Sequence, residues 1–205
     1  MHIPLPESTK PVIAAFDFDG TISFTDTFLP FLFRACGRRR VAWALTQLSG
    51  EALRVGLGRS TRDQFKNRLL MQLLAGDSVA RLQQIGAHHA AQVLATQLRP
   101  AALARIAWHR ERGHQLVMVS ASLNFYLEKI AAQLGFNELL CTRVVAIDDQ
   151  CMGQIDGANC RSAEKVRQLQ LLCGDLTESV LYAYGDSAGD QELLAAANFP
   201  HYRPF

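Results

Sequence analysis

The sequence of 205 residues contains no C-x-x-C pair and no H-E-x-x-H or comparable spacing of histidines. Its five cysteines are an odd number, so neither a disulfide framework nor a thiolate zinc site is indicated, and a reducing compartment is favoured. The sequence also has no large excess of positive or negative charge, because it contains 21 basic and 19 acidic residues and has a net charge of +2. This balance argues against a nucleic-acid-binding surface.

Long apolar runs are missing as well. The longest apolar segment, residues 28–33, contains Pro30 and is followed by Arg34, so it is too short to span a bilayer. Residues 1–10 hold prolines and charges but no apolar stretch typical of a signal peptide. We therefore expect a cytoplasmic protein without stable membrane insertion. The basic run Arg38–Arg40 leaves peripheral contact with an anionic lipid surface open, beside the simpler interpretation of a solvated helix start.

What is present is the composition of a globular domain, with 49% hydrophobic and 20% charged residues, which excludes a largely disordered chain. Short apolar runs typical of buried parallel strands alternate with helical patterns that end at glycine. This alternation predicts an α/β fold with a Rossmann-like parallel sheet. We expect strands at Val12–Phe16, Gln115–Ser120, Leu139–Val145, Ser179–Gly185 and His201–Pro204, and helices at Pro100–Arg112, Ser122–Leu134 and Ser162–Cys173.

Residues 23–98 differ from the rest, because they contain several helical patterns and no convincing strand. Within them, Ser60 and Asp63 have the spacing of a capping box at the start of one helix. A helical block between the first two strands predicts an inserted α-helical cap. The expected division is a core of residues 1–22 and 99–205, with the cap placed over the end of the first strand.

The most informative run is Asp17-Phe18-Asp19-Gly20-Thr21, which follows the first predicted strand. Two carboxylates at i and i+2, followed by a Gly-Thr turn, suit a hard divalent cation with a phosphoryl group beside it. Taken alone, the run could also be an Asx-type turn that caps the next segment.

Further polar features fall at or near the same edge of the predicted sheet. Ser120 ends a hydrophobic strand before a helix, where its hydroxyl and the Ala121 amide could donate to an anion, although a serine there is often only a cap. Lys165 lies at the start of a later helix, and Gly185–Asp190 reads GDSAGD after a strand. Jointly these groups predict a phosphoryl-transfer centre with a carboxylate nucleophile, Mg²⁺, phosphate-binding donors and a second carboxylate as acid and base.

These motifs, in this order, resemble those of phosphatases of the haloacid dehalogenase superfamily, and the helical insertion resembles that of subclass IB, which contains phosphoserine phosphatase. The resemblance implies Asp17 as nucleophile and Asp19 as general acid/base. It also implies Mg²⁺ held by Asp17, Asp186 and the Asp19 carbonyl, with Asp190 in support. The phosphate would be bound by Ser120, Ala121 and Lys165.

The expected activity is therefore hydrolysis of a small phosphorylated metabolite, similar to phosphoserine, through a phospho-aspartyl intermediate. Phosphoserine phosphatases have cap residues for the substrate amine and carboxylate, and the resemblance places Asp26 and Lys66, with Arg68 close by, at those positions. Asp26 is shorter than the usual Glu, and a lysine does not replace an arginine in bidentate recognition. Gly189 likewise stands where that family usually has Asn.

Several alternatives stay open at the level of sequence. One is a phosphatase of lipid headgroups, such as a phosphatidylglycerophosphate phosphatase. Another is a phosphotransferase that passes the same aspartyl-phosphate to an alcohol, and a third is a binding module without the reaction. The oligomeric state is not predicted.

Overall fold

The computed structural model describes residues 10–50 and 61–205. The strands are β1 (Val12–Phe16), β2 (Gln115–Leu123), β3 (Glu138–Thr142), β4 (Val144–Ile147), β5 (Gln150–Ile155), β6 (Val180–Gly185) and β7 (Phe199–Tyr202). The α-helices are α1 (Phe28–Cys36), α2 (Arg38–Gln47), α3 (Arg62–Leu74), α4 (Val79–Thr96), α5 (Pro100–Glu111), α6 (Asn124–Leu134), α7 (Ala163–Cys173) and α8 (Gln191–Ala195). Short 3₁₀ turns lie at Leu176–Glu178 and Ala188–Asp190.

A parallel sheet with the strand order β3-β2-β1-β6-β7 forms the centre of the molecule. Side chains of β1 alternate between two hydrophobic clusters, with Ala14 and Phe16 on one face and Ile13 and Ala15 on the other. Both faces are covered, which explains why the strand is continuously apolar. The predicted α/β fold with a parallel sheet is confirmed.

The order of the strands reverses at β1, because β2 lies on one side of it and β6 on the other. Crevices for ligands form at such a switch point, at the carboxyl ends of the strands. The amide of Asp17 donates to the carbonyl of Tyr184 over 2.9 Å, which continues the β1–β6 pairing one residue beyond β1. The Asp17 turn is thereby brought beside the loop that follows β6.

The segment 23–98 leaves the sheet and returns to it at one point. Ser23 and Leu98 form an antiparallel bridge, and the amide of Phe24 donates to the carbonyl of Gln97 over 2.9 Å. Its described helices share a hydrophobic cluster with one face of the sheet, in which Phe31 lies with Phe16. The division into core and cap stays a prediction.

The hairpin of β4 and β5 was not predicted. The expected strand Leu139–Val145 is broken at Arg143 into β3 and the start of this hairpin. Alternate residues of β5 are buried and the others exposed, so the strand lacks the continuous apolar run that marks the parallel strands. The hairpin packs on α3, where the amide of Ile155 donates to Oδ1 of Asn67 over 2.7 Å.

Several boundaries differ from the sequence predictions, some of them by only one residue. β2 runs three residues past Ser120, with a shift of register, so α6 begins at Asn124 rather than at Ser122. The last strand is Phe199–Tyr202 instead of His201–Pro204. Ser60 lies outside the described residues, and the capping box is formed one residue later.

In that capping box the side chain of Thr61, the N-cap of α3, accepts a hydrogen bond from the backbone amide of Gln64, and the side chain of Gln64 accepts one from the Thr61 amide.

Within residues 10–50 and 61–205, no helix has the length and apolar character that a membrane crossing requires.

Candidate active site

The carboxylate of Asp17 lies at the tip of the central strand and is only 6% exposed. One of its oxygens, Oδ1, accepts a hydrogen bond from Nζ of Lys165 at 2.6 Å, and Oδ2 accepts one from the hydroxyl of Thr21 at 3.2 Å. Burial raises the pKa of Asp17 to about 7, and Asp190 and Asp19 add to the rise, whereas Lys165 opposes it. A cation beside Asp17 would favour its charged form.

Asp17, Asp186 and Asp190 each offer a carboxylate oxygen, and these oxygens all lie within 4.8 Å of one another. Oxygens on opposite sides of an octahedral Mg²⁺ are about 4 Å apart, so the donor set fits a hard divalent cation in type and spacing. The hydroxyl of Thr21 links two of the carboxylates, donating to Asp186 at 3.4 Å as well as to Asp17.

Lys165 stands in the first turn of α7 and is 2% exposed, between two carboxylates. Its Nζ donates to Oδ1 of Asp17 and to Oδ1 of Asp190, each at 2.6 Å. Burial alone would lower the pKa of Lys165, but the two carboxylates outweigh it and raise the pKa. Burial alone would raise the pKa of Asp190, but Lys165 and Ser187 hold it below its ordinary value. Lys165 therefore stays charged next to the candidate nucleophile.

The side chain of Asp19 is held away from the other carboxylates. Its Oδ1 accepts hydrogen bonds from the amide and the hydroxyl of Thr27, both at 2.6 Å. Its Oδ2 accepts one from the hydroxyl of Ser122 at 2.5 Å. Burial raises the pKa of Asp19, and the hydrogen bonds from Ser122 and Thr27 limit the rise. A carboxyl with a raised pKa can both give and take a proton near neutral pH.

A chain of hydroxyls stands behind Asp19. Because the Thr27 hydroxyl donates to Asp19, the Tyr126 hydroxyl, 3.1 Å away, is the donor to Thr27. Thr27, Ser122 and Tyr126 were not predicted as site residues from the sequence. Their only available signal was their closeness in sequence to Asp19 and Ser120, and a hydroxyl residue near a motif is too common to be selective.

Ser120 and Ala121 lie across from Asp17 in a cavity of about 240 Å³. The Ser120 hydroxyl accepts a hydrogen bond from the Ser122 amide at 3.1 Å, which leaves its own proton free for an acceptor in the cavity. The residues that line this cavity are Asp17, Asp19, Asp26, Phe28, Arg62, Lys66, Ser120, Ala121, Ser122, Asn159, Arg161, Lys165, Ser187, Gly189 and Asp190.

The predicted substrate residues of the cap divide into two groups. Asp26 and Lys66 line the cavity, whereas the exposed Arg68 does not. Asp26 also accepts a hydrogen bond from the amide of Leu29 at 3.0 Å, at the start of α1. Burial lowers the pKa of Lys66 to about 8.

Asn159 connects helix α3 with strand β3. Its Oδ1 accepts hydrogen bonds from Nζ of Lys66 at 2.9 Å and from the Thr142 hydroxyl at 2.8 Å. Its Nδ2 donates to Oδ1 of Asp63, on α3, at 2.6 Å. Lys66 also donates to the carbonyl of Ala121. Lys66 thus connects helix α3 with the backbone at Ala121 in β2, a contact that sequence spacing could not reveal.

The fold and the site together define an α/β enzyme with a carboxylate cluster at the switch point of its sheet. The chain belongs to the haloacid dehalogenase-like hydrolase family, which matches residues 14–195. The predicted family and the predicted class of enzyme, a hydrolase, are confirmed.

Individual proteins are also similar to this chain. Protein CicA of Caulobacter vibrioides is 34% identical over 197 residues, which are 96% of this chain and 87% of CicA. A probable phosphatase of Mycobacterium tuberculosis is 27% identical over 93% of this chain and 69% of its own length. A crystal structure of a Bordetella pertussis protein of unknown function has the same fold, with a TM-score of 0.78 and 24% identity over 95% of this chain and 89% of that one.

Proposed function

We propose that this protein is a magnesium-dependent phosphomonoester phosphatase in which Asp17 forms a transient aspartyl-phosphate. The observation that carries the proposal is the position of the Asp17 carboxylate, 2.6 Å from Lys165 and within 4.8 Å of the oxygens of Asp186 and Asp190. Phosphoryl transfer requires a nucleophile, a fixed cation and a site for a divalent cation, and here the three lie side by side. The relative named as a probable phosphatase supports the same reaction.

In the first step, an oxygen of Asp17 attacks the phosphorus atom of the ester and the bond to the leaving oxygen breaks. Asp19, in its protonated form, gives its proton to that oxygen, so an alcohol leaves. Lys165 and the hydroxyl of Ser120 bind oxygens of the phosphoryl group, together with the amide of Ala121. Burial raises the pKa of Asp19, which favours the protonated form that this step needs.

In the second step, Asp19 acts as a base. It takes a proton from a water molecule, whose oxygen attacks the phosphorus atom and releases Asp17 and inorganic phosphate. Thr27 and Ser122 keep the Asp19 carboxylate in place for both steps. The cap helices that line the cavity would limit the access of water during the first step.

The carboxylates of Asp17 and Asp186 would hold Mg²⁺, joined by the carbonyl of Asp19, with Asp190 in support. When bound, the cation offsets the repulsion between the Asp17 carboxylate and the charged phosphate. The proposed substrate is a small phosphorylated metabolite similar to phosphoserine, contacted by Asp26 and Lys66 of the cap.

The substitution Asp17→Asn tests the nucleophile. The variant should lose all turnover of a phosphomonoester panel that includes phosphoserine and a lipid phosphate, yet keep the melting temperature of the wild type. Asp148→Asn, in the exposed turn of the β4–β5 hairpin, is the matched control and should stay active. Activity of Asp17→Asn above a tenth of wild type would count against the assignment.

A second test uses beryllium fluoride, which mimics an aspartyl-phosphate. With Mg²⁺ it should raise the melting temperature of the wild type and leave that of Asp17→Asn unchanged. Product analysis with an added alcohol would detect transfer to an acceptor other than water.

A further inference from the structure

The basic side chains around the active-site cavity differ in whether they already have hydrogen-bond or ion-pair partners. Lys165 is shared by Asp17 and Asp190, and Lys66 donates to the neutral oxygens of Ala121 and Asn159. Across residues 10–50 and 61–205, the guanidinium of Arg161 has neither a hydrogen bond nor an ion pair, although it lines the same cavity.

Arg161 is placed by the chain between β5 and α7, and its backbone is fixed. Its amide donates to the carbonyl of Asn159 at 2.7 Å, and its carbonyl accepts from the amide of Glu164 at 3.1 Å. The residue is half-buried. A half-buried guanidinium that keeps its charge has lost part of its hydration, so an anionic partner would stabilise it.

The side chain of Arg161 lies over Gly189. A Cβ at Gly189 would be 3.0 Å from Cζ of Arg161 and 3.1 Å from both Cγ and Nη1. These distances are shorter than ordinary van der Waals contacts, so any larger residue at 189 would displace the guanidinium. The glycine next to Asp190 is thus what allows Arg161 to reach the cavity.

A second arginine approaches from the cap. Arg62 is the first residue of α3, and it lines the cavity together with Lys66, one turn further on the same helix face. Its guanidinium also has no hydrogen bond or ion pair within the part of the chain that the structure describes. Two arginines whose guanidinium groups have no hydrogen bond or ion pair within the described residues therefore line the cavity: Arg62 of α3 and Arg161 of the segment before α7.

We propose that Arg161, assisted by Arg62, binds a second anionic group of the substrate, separate from the phosphate that is transferred to Asp17. The substrate would then be a phosphomonoester that carries a further carboxylate or phosphate. Both groups match the planar donor fork of a guanidinium. This inference rests on the proposed phosphatase function and specifies the class of substrate.

The test compares three phosphate esters that share a three-carbon chain: propyl phosphate, 3-phosphooxypropanoate and propane-1,3-diyl bisphosphate. The wild type should have a higher kcat/KM for at least one doubly anionic ester than for propyl phosphate, and the ester preferred identifies the second group. In Arg161→Ala that preference should fall about 10- to 100-fold, the range expected for a hydrogen-bonded charge pair. Arg167→Ala, which removes an exposed arginine paired with Glu164 on α7, should keep the preference.

A double-mutant cycle tests the part played by Gly189. Gly189→Ala should lower the same preference in the wild-type background, because it displaces Arg161, and should not lower it further in Arg161→Ala. If the preference for doubly anionic esters fell further in the double variant than in Arg161→Ala, the two residues would act independently, which would contradict the contact.

Binding provides a readout that does not need turnover. Calorimetry with the non-hydrolysable three-carbon bisphosphonate and with propylphosphonate should show that the first binds more tightly, and that Arg161→Ala removes the difference. If no ester is hydrolysed but this difference is seen, the phosphatase proposal fails and the anion site stands. Equal effects of Arg161→Ala on singly and doubly anionic ligands would overturn the inference, as would a wild type without any preference.

Discussion

Gly20 lies directly against the carboxylate of Asp186, and a Cβ at residue 20 would be 2.4 Å from Oδ2 of that carboxylate. Gly20 also has a φ of 80°, a conformation that costs other residues energy. The turn with Asp17 and Asp19 can therefore pack on the loop with the third carboxylate only because residue 20 has no side chain.

Gly20→Ala should separate the two loops and weaken the proposed cation site. We expect a loss of about 1 kcal/mol or more in the free energy of unfolding and at least a tenfold higher Mg²⁺ concentration for half-maximal activity. Gly76→Ala is the matched control, because Gly76 has a φ of 82° but nothing within 4 Å of the added Cβ. It should lose stability without losing Mg²⁺ dependence or activity. Equal losses of activity in both variants would contradict the argument.

Lys165→Met should impair both folding and reaction. The substitution leaves Asp17 and Asp190 buried without their shared cation, which should cost about 3–5 kcal/mol of unfolding free energy. The loss of a charged donor to the phosphoryl group should lower kcat at least about 100-fold. Chemical denaturation and steady-state kinetics measure the two effects. Lys129→Met, on the exposed surface of α6, should change neither.

Thr27→Val removes a hydroxyl that donates to Asp19 while keeping the shape of the side chain. Since that hydrogen bond favours the charged carboxylate, its loss should raise the pKa of Asp19 further. The limb of the pH–rate profile that Asp19 sets should then move to higher pH. Thr27→Ser keeps the hydroxyl and should keep the profile. A limb that moves to lower pH would contradict the assignment of Asp19 as the group that sets it.

His109 should make the stability of the fold depend on pH. Its side chain is fully buried and contacts the Tyr184 hydroxyl at 2.8 Å through Nε2. Burial lowers its pKa from 6.5 to about 4, and the neighbouring His114 contributes. Between these values the unfolded chain binds more protons than the folded one, so the stability due to a neutral His109 is complete above pH 6.5 and is lost as the pH falls toward 4.

The comparison of wild type with His109→Gln isolates this effect from the carboxylates of the active site. The difference in unfolding free energy should shrink as the pH falls from 7.5 to about 5, with a slope of at most about 1.4 kcal/mol per pH unit. His88→Gln, which replaces an exposed histidine on α4, should show no such slope. A difference that is constant with pH would refute the assignment.

The strands of the central sheet and the motifs at their ends were predictable from the sequence. Val12–Phe16 is buried on both faces, so its apolar run is continuous and its boundary is sharp. Lys165 and Asp190 also lie at the starts of helices whose patterns are clear, whereas Ser120 lies inside β2 rather than at its end. Hydrophobic periodicity locates such elements because it records burial directly.

The β4–β5 hairpin and the partners of Asp19 were not predictable. The hairpin covers one helix with every second residue, and its burial comes from α3 rather than from its own pattern. The predicted helix start at Ser122 failed for a related reason, since that serine donates to Asp19 and the strand continues through it.

By itself, the sequence determined the class of fold and the edge of the sheet at which the carboxylates gather, because both follow from which residues must be buried and where the strands end. Only the tertiary structure decided which side chains from distant segments share one cavity. Thr27 and Ser122 meet at Asp19, Lys66 reaches Ala121, and Arg161 lies over Gly189, and each contact depends on how the helices pack over the sheet. Hydrogen bonds and ion pairs between segments far apart in the chain produce no repeating pattern in the sequence, so they cannot be predicted from it.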